Sequence, residues 1–207
     1  MDRLDKPLAR ARIFAGVFAA MLVAIVMASA GCSHPDAPGS YPAVNQAQCL
    51  PDSLALVDQA GNKIPLDSLR GTPVLVDFIY TTCTSTCPLL TQKMAAVAKL
   101  LGPALGSKVK IISFTIDPAH DGPPELANYA DRMGANDSGW IFLTGTPAQI
   151  EQVLEIYGLK IGHGSDGSIM HMTAAFLLGP NGRQVRQYDG LEVSAQTMVS
   201  DIARVNS

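Results

Sequence analysis

The run VLVDFIY, residues 74–80, is almost unbroken in β-branched and aromatic side chains and leads straight into TTCTSTCPLL. A strand with apolar residues on both faces must be covered on both faces. It therefore belongs in the middle of a layered α/β sheet. Immediately beyond it, Pro88 to Leu101 place Leu89, Leu90, Met94, Val97, Leu100 and Leu101 at helical spacing. Buried strand, two-cysteine loop and helix thus follow one another, and chemistry at Cys83 and Cys87 has to occur at the end of a central strand.

The remaining elements extend this pattern. LALVDQAGNKIPL, residues 54–66, reads as two short strands turned at Ala60-Gly61-Asn62. KVKIISFTID (108–117) is a second buried strand, and PPELANYADRM is a helix opened by Pro123 and Pro124. Trp140 to Leu143 is a short strand, and TPAQIEQVLEIYG is a helix that stops at Gly158. Residues 172–190 read as strand, Pro-Asn-Gly turn and strand, and Ser194 to Arg204 form a closing helix. This order predicts an α/β, thioredoxin-like fold, with a central mixed sheet flanked by helices and an N-terminal β-hairpin.

Residues 1–31 read as a leader and not as part of that domain. Arg3, Lys6, Arg10 and Arg12 precede an uncharged run from Ile13 to Gly31, and small residues precede Cys32. The ending SAGC resembles a lipobox and makes Cys32 the lipidation candidate, although Ser29 stands where Leu or Val is usual. An uncleaved membrane anchor is the alternative for a run of 19 residues. Residues 32–53, with Pro35, Pro38, Pro42 and Pro51, read as a flexible linker to a domain spanning 54–207. Either anchor places that domain in the bacterial cell envelope, on the periplasmic side of the membrane. The formal net charge is −3 and no basic run is present, which argues against nucleic acid as a partner.

Three chemistries suit Cys83 and Cys87: a redox disulfide, a metal site or a structural bridge. Three residues separate the thiols, against two in a thioredoxin-type catalyst. In a helical or near-helical segment such a spacing puts both on one side, close to a helix N-terminus that favours thiolate. Soft sulfur donors select Cu(I), zinc or iron–sulfur. His171, in GSIMHMTAAFLL, precedes the inner strand whose leading turn faces the cysteine loop in this fold. No proline occurs from Ile169 to Phe176, where a redox thioredoxin places one, and this favours metal over disulfide exchange. His163 is a weaker ligand candidate, and His34 lies in the linker. His120 reads as a solvated loop residue, while Asp117 and Asp121 read as turn-closing or helix-capping residues, with a docking role open. Met170 and Met172 read as packing residues, with auxiliary copper contact as the alternative. Cys49 is an odd thiol without an assigned partner.

From about Leu54 to Arg204 the chain resembles the SCO/SenC family of membrane-tethered copper proteins that serve cytochrome c oxidase. The resemblance rests on VDFIYTTCTSTCP, ISFTIDPAHDGPPELANYA, the W-x-F-L-T-G string from Trp140 to Gly145, and a histidine ahead of AAFLLGPNG. It implies copper ligation by Cys83, Cys87 and His171, as Cu(I) and with Cu(II) as a second state. It also implies help in assembling the dinuclear copper centre on the oxidase's copper-bearing subunit. Other periplasmic copper carriers or thiol reductants are then further partners. The family often has Asp and Ser around the ligand histidine, where this chain has Met170 and Met172, and Thr where it has Gly122. The alternative is a thiol–disulfide reductase that uses Cys83 and Cys87 as a redox-active catalytic pair, which makes enzymatic activity an open question. A peroxiredoxin-like P-x-x-x-T-x-x-C signature is excluded, since Tyr80 and Val76 occupy the positions where its proline would stand.

Overall fold

The computed structural model describes residues 51, 53–164, 169–170 and 172–206, without the side chains of His163 and Met170. Within them the hydrophobic pattern is converted into strands β1 (Ala55–Asp58), β2 (Lys63–Pro65), β3 (Val74–Ile79), β4 (Lys110–Thr115), β5 (Trp140–Thr144), β8 (Ala174–Leu178) and β9 (Gln184–Asp189). These form one sheet in the order β2-β1-β5-β4-β3-β8-β9. The runs buried on both faces, β3, β4 and β5, pair in parallel at its centre, and the hairpin strands add antiparallel at the two sides. Helices α1 (Thr86–Leu101), α2 (Pro123–Met133), α3 (Pro147–Ile156) and α4 (Ala195–Val205) supply the covering layers. A small hairpin of β6 (Gly162–His163) and β7 (Ile169–Met170) precedes β8, and no sequence period announced it. The thioredoxin-like architecture is therefore as read, with α1 starting two residues earlier, at Thr86, so that it takes in Cys87.

Alternation along the strands separates two cores. Phe78 stacks on Phe114 and meets Phe176 and Tyr157 edge-on, which closes the α3 side. One residue back, Asp77 lies opposite Ser113, and Ser113 opposite Phe142, which stacks on Trp140 and meets Tyr129 of α2. On this second side Trp140 Nε1 donates to Ser113 Oγ, and Ser113 Oγ donates to Asp77 Oδ1. Asp77 is fully buried, and its Oδ2 has no partner among the described residues. Burial, only partly offset by the Ser113 hydroxyl, raises its carboxyl from 3.8 to about 7.

A raised carboxyl pKa stabilises the fold fully below the unfolded value near 3.8, and the benefit disappears as pH rises to about 7. Asp77→Asn keeps an acceptor for Ser113 without the buried charge. It should therefore raise the unfolding midpoint at pH 8, by at most about 4 kcal/mol in free energy, with the advantage falling by more than half at pH 5. Equal effects at both pH values in denaturant titrations would contradict a titrating Asp77.

Candidate metal centre

The end of β3 and the start of α1 carry the two thiols. The Cys83 amide donates to the Tyr80 carbonyl at 3.1 Å, closing a turn directly after the strand. Helix α1 then begins with Ser85 at its N-cap, whose side chain makes no capping hydrogen bond. A helix start leaves backbone N–H groups without acceptors. Here the Cys87 amide donates to Cys83 Sγ at 3.4 Å, so the sulfur takes the place of a capping oxygen. Cys83 lies ahead of the helix and only Cys87 lies inside it. Turn and cap, rather than two helical turns stacked on one face, bring the residues together.

Both cysteines are free thiols, 7% and 2% exposed for Cys83 and Cys87. Their environments pull them apart. Burial is the largest single influence on Cys83 and opposes ionisation. The Cys87 thiol, the amides of Ser85 and Cys87 and the Tyr80 hydroxyl together outweigh it, lowering the group from 9.0 to about 7. Burial, then the bond to Cys83, pushes the Cys87 thiol strongly upward. A Cys83 thiolate beside a protonated Cys87 is therefore the first ionised state of the pair, gaining population as pH rises through about 7.

Two further groups frame the loop. Tyr80 Oη donates to the Ile169 carbonyl of β7 at 3.2 Å, fastening the end of β3 to the segment just ahead of residue 171. Burial, then Cys83, raises this phenol to about 12. On the other side the Asp121 carboxylate accepts from the Thr81 amide at 3.0 Å and from the hydroxyls of Thr81 and Thr115. The residue caps nothing: Gly122 is the N-cap of α2 and no side chain bonds there. The capping expectation for Asp117 and Asp121 thus gives way to a different role, because the carboxylate of Asp121 points back under the cysteine loop. Asp117 does close its turn, its carbonyl accepting from the amides of His120 and Asp121. His120 is 73% exposed as expected, but it is paired with the Asp117 carboxylate at 2.9 Å, which raises its pKa.

The other candidates are placed as follows. His171, Cys32, His34 and Cys49 lie outside the described residues. The backbone of His163 belongs to β6. Met172 is 46% exposed and so does not serve as core packing. Among the described residues no three His, Cys, Asp or Glu side chains gather in a way that holds a metal ion. What the described residues bring together is the Cys83–Cys87 pair, with no third such side chain beside it among them. Tyr80 and the Thr81–Asp121 link escaped the sequence reading. A tyrosine ending an apolar strand looks like core, and a carboxylate 40 residues from its partner leaves no local pattern.

The SCO1/SenC family model matches residues 43–207. The chain belongs to the SCO1/SenC family. Among curated relatives, the SCO1 protein homolog of Bacillus subtilis (strain 168) is 34% identical over 150 residues, covering 70% of this chain and 77% of its own. Among solved structures, BsSco, described as having a disulfide switch and as a member of the Sco family of cytochrome c oxidase assembly proteins, is 30% identical. Its TM-score is 0.67, with 77% of this chain and 94% of that chain covered. ScoI of Bradyrhizobium japonicum, solved with copper bound, is 29% identical with a TM-score of 0.64, over 73% and 96% of the two chains.

Within this SCO1/SenC chain the asymmetry of the thiols is open to direct measurement. Initial rates of iodoacetamide modification, read residue by residue by mass spectrometry, should give Cys83 a midpoint near pH 7. Cys87 should remain largely unmodified up to about pH 9. A Cys83 midpoint at 9.0, its ordinary value, would show that the helix start does not favour its thiolate.

Proposed function

We propose that this chain is an envelope-anchored copper carrier that binds copper as cargo through Cys83, Cys87 and His171 and passes it to the copper-bearing subunit of cytochrome c oxidase. The observation that carries the proposal is the adjacent pair of buried thiols, one of them accepting a helix N-terminal amide and ionising more readily than an ordinary thiol. Two soft sulfurs and one imidazole suit Cu(I). They also leave a position at which a recipient's ligands can attack before the donor's leave. The copper-bound state of ScoI and the oxidase-assembly role given for BsSco support the same reading. Tyr80 supports His171 as the third donor, because it ties β7, which ends one residue earlier, to the cysteine loop.

Delivery to a membrane enzyme needs a tether. In this proposal residues 1–31 are the leader, Cys32 carries the lipid and 32–53 are the flexible arm. Among the described residues no helix is long and apolar enough to cross a membrane. Mass spectrometry of the membrane-extracted protein should find a lipidated Cys32 as the first residue. An intact start at Met1 would replace the lipid anchor with an uncleaved one.

A thiol–disulfide reductase is the second reading, favoured by the split between Cys83 and Cys87, which resembles a nucleophile and its resolving partner. Loss of two protons and two electrons from the pair to an acceptor disulfide gives the Cys83–Cys87 disulfide and a reduced acceptor. His171→Ala separates the two. It should lower copper affinity, with Cu(II) lost more than Cu(I), and leave reductase activity nearly unchanged. His163→Ala is the control. If only His163→Ala abolishes copper binding, the ligand has been assigned to the wrong histidine. If neither substitution matters, the reductase is the better account.

A further inference from the structure

Asp121 is wholly buried, 0% exposed, and has no cation beside it among the hydrogen-bond and ion-pair partners described. A carboxylate in that position has to be satisfied by donors, and three converge on it. Oδ2 accepts from the Thr81 amide and from Thr115 Oγ1, and Oδ1 accepts from Thr81 Oγ1. Thr115 Oγ1 in turn accepts from the Asp117 amide at 2.9 Å, so its proton is committed to Asp121. The backbone repeats the connection, since the Ile116 amide donates to the Ile79 carbonyl. The loop after β4 is thereby fixed to the loop after β3.

Thr81 is the point at which this matters. It lies inside the turn that the Cys83 amide closes on the Tyr80 carbonyl. With both its amide and its hydroxyl held, the turn has little freedom, and Cys83 Sγ is kept within reach of the Cys87 amide. We infer that Asp121 is a positioning residue for the Cys83–Cys87 pair: its carboxylate holds the Thr81 turn, and through it sets the separation and orientation of the two sulfurs. This deepens the copper reading and rests on it for the cargo, but the geometry concerns the sulfur pair itself. It therefore governs any ligand or bond the pair makes together, the intramolecular disulfide included.

The test uses the full chain in detergent, with Asp121→Ala, Asp121→Asn and Thr115→Val, each studied below its unfolding midpoint. Two equilibria are measured. One is Cu(I) competition against a chromophoric chelator under anaerobic conditions. The other is the dithiol–disulfide equilibrium of Cys83 and Cys87 in a glutathione buffer. It reports how well the two sulfurs are held together without any copper. Asp121→Ala should weaken Cu(I) binding about tenfold or more, in the range seen when groups orienting a metal ligand are removed. It should shift the disulfide equilibrium toward the dithiol in the same direction. Asp121→Asn, which can still accept from the Thr81 amide, should restore most of both, and Thr115→Val should show a smaller loss of both.

A purely structural Asp121 would lower the unfolding midpoint and leave both equilibria of the folded protein within about twofold of the parent. That result overturns the inference. If Asp121→Ala does not fold, Asp121→Asn and Thr115→Val make the same comparison, and unmoved equilibria in both overturn it equally. Should the parent chain bind no Cu(I) while Asp121→Ala still shifts the disulfide equilibrium, the copper reading fails and the positioning role stands. Should the parent bind Cu(I) and every variant match it in both equilibria, the positioning role fails and the copper reading stands.

Discussion

The bond from the Cys87 amide to Cys83 Sγ is the contact on which the rest of the site depends. Helix α1 opens without a capping hydroxyl, and a first-turn amide without an acceptor would be costly beside a buried core. The sulfur satisfies it, and the helix terminus returns the favour electrostatically, since its partial positive charge supports negative charge on Cys83. One contact therefore starts the helix, brings the two thiols together and biases which of them ionises. Fold and reactivity are not separable at residue 83: a side chain that cannot accept there removes a cap and the more readily ionised thiol at once.

The sheet order explains why the groups around that contact come from distant parts of the chain. β3 and β4 run parallel, so the loops that leave their C-terminal ends emerge side by side, as ligand-binding loops do in open α/β sheets. β8 runs antiparallel to β3, with Ala175 opposite Asp77, so the segment that enters β8 arrives at the same edge. The cysteine turn, the Asp117–Asp121 turn and the β7 segment thus meet although up to 89 residues separate the bonded groups. Thr81–Asp121 and Tyr80–Ile169 fasten the cysteine turn to its two neighbours. The site is assembled at a corner where three connections converge and is not contained in any one of them.

Local periodicity and turn chemistry made most of this fold legible in the sequence. VLVDFIY and KVKIISFTID read as buried strands and lie inside the sheet as β3 and β4, Pro123 and Pro124 opened α2, and the Ala60-Gly61-Asn62 turn joined β1 to β2. The β6–β7 hairpin was not legible, because two-residue strands have no period to detect. Cys83 and Cys87 stood out by spacing and residue type, whereas Tyr80, Thr81 and Asp121 act through contacts of long sequence separation, and a single sequence carries no trace of those. Asp77 left a visible signal, a lone acid inside an apolar run. Its meaning depended on Ser113 and Trp140, which only the register of β4 and β5 brings beside it.

The unequal placement of the sulfurs bears on how a carrier site can both hold and release a soft cation. A buried pair of thiolates would carry two negative charges in a poorly solvated corner, and their repulsion would raise the later pKa well above neutrality. For Cys83 and Cys87 that repulsion only adds to larger causes: burial and the bond to Cys83 raise Cys87, while hydrogen bonds from the Cys87 thiol, the Ser85 and Cys87 amides and the Tyr80 hydroxyl lower Cys83. A monovalent cation meeting the Cys83 thiolate cancels its charge, which makes loss of the second proton, from Cys87, less costly. In the proposed copper reading release reverses the order: reprotonation of Cys87 leaves the ion on Cys83, the more exposed of the two residues. In the same reading, the unequal ease with which Cys83 and Cys87 give up their protons, set by the helix-start amides and Tyr80 on one side and burial on the other, is what makes binding stepwise.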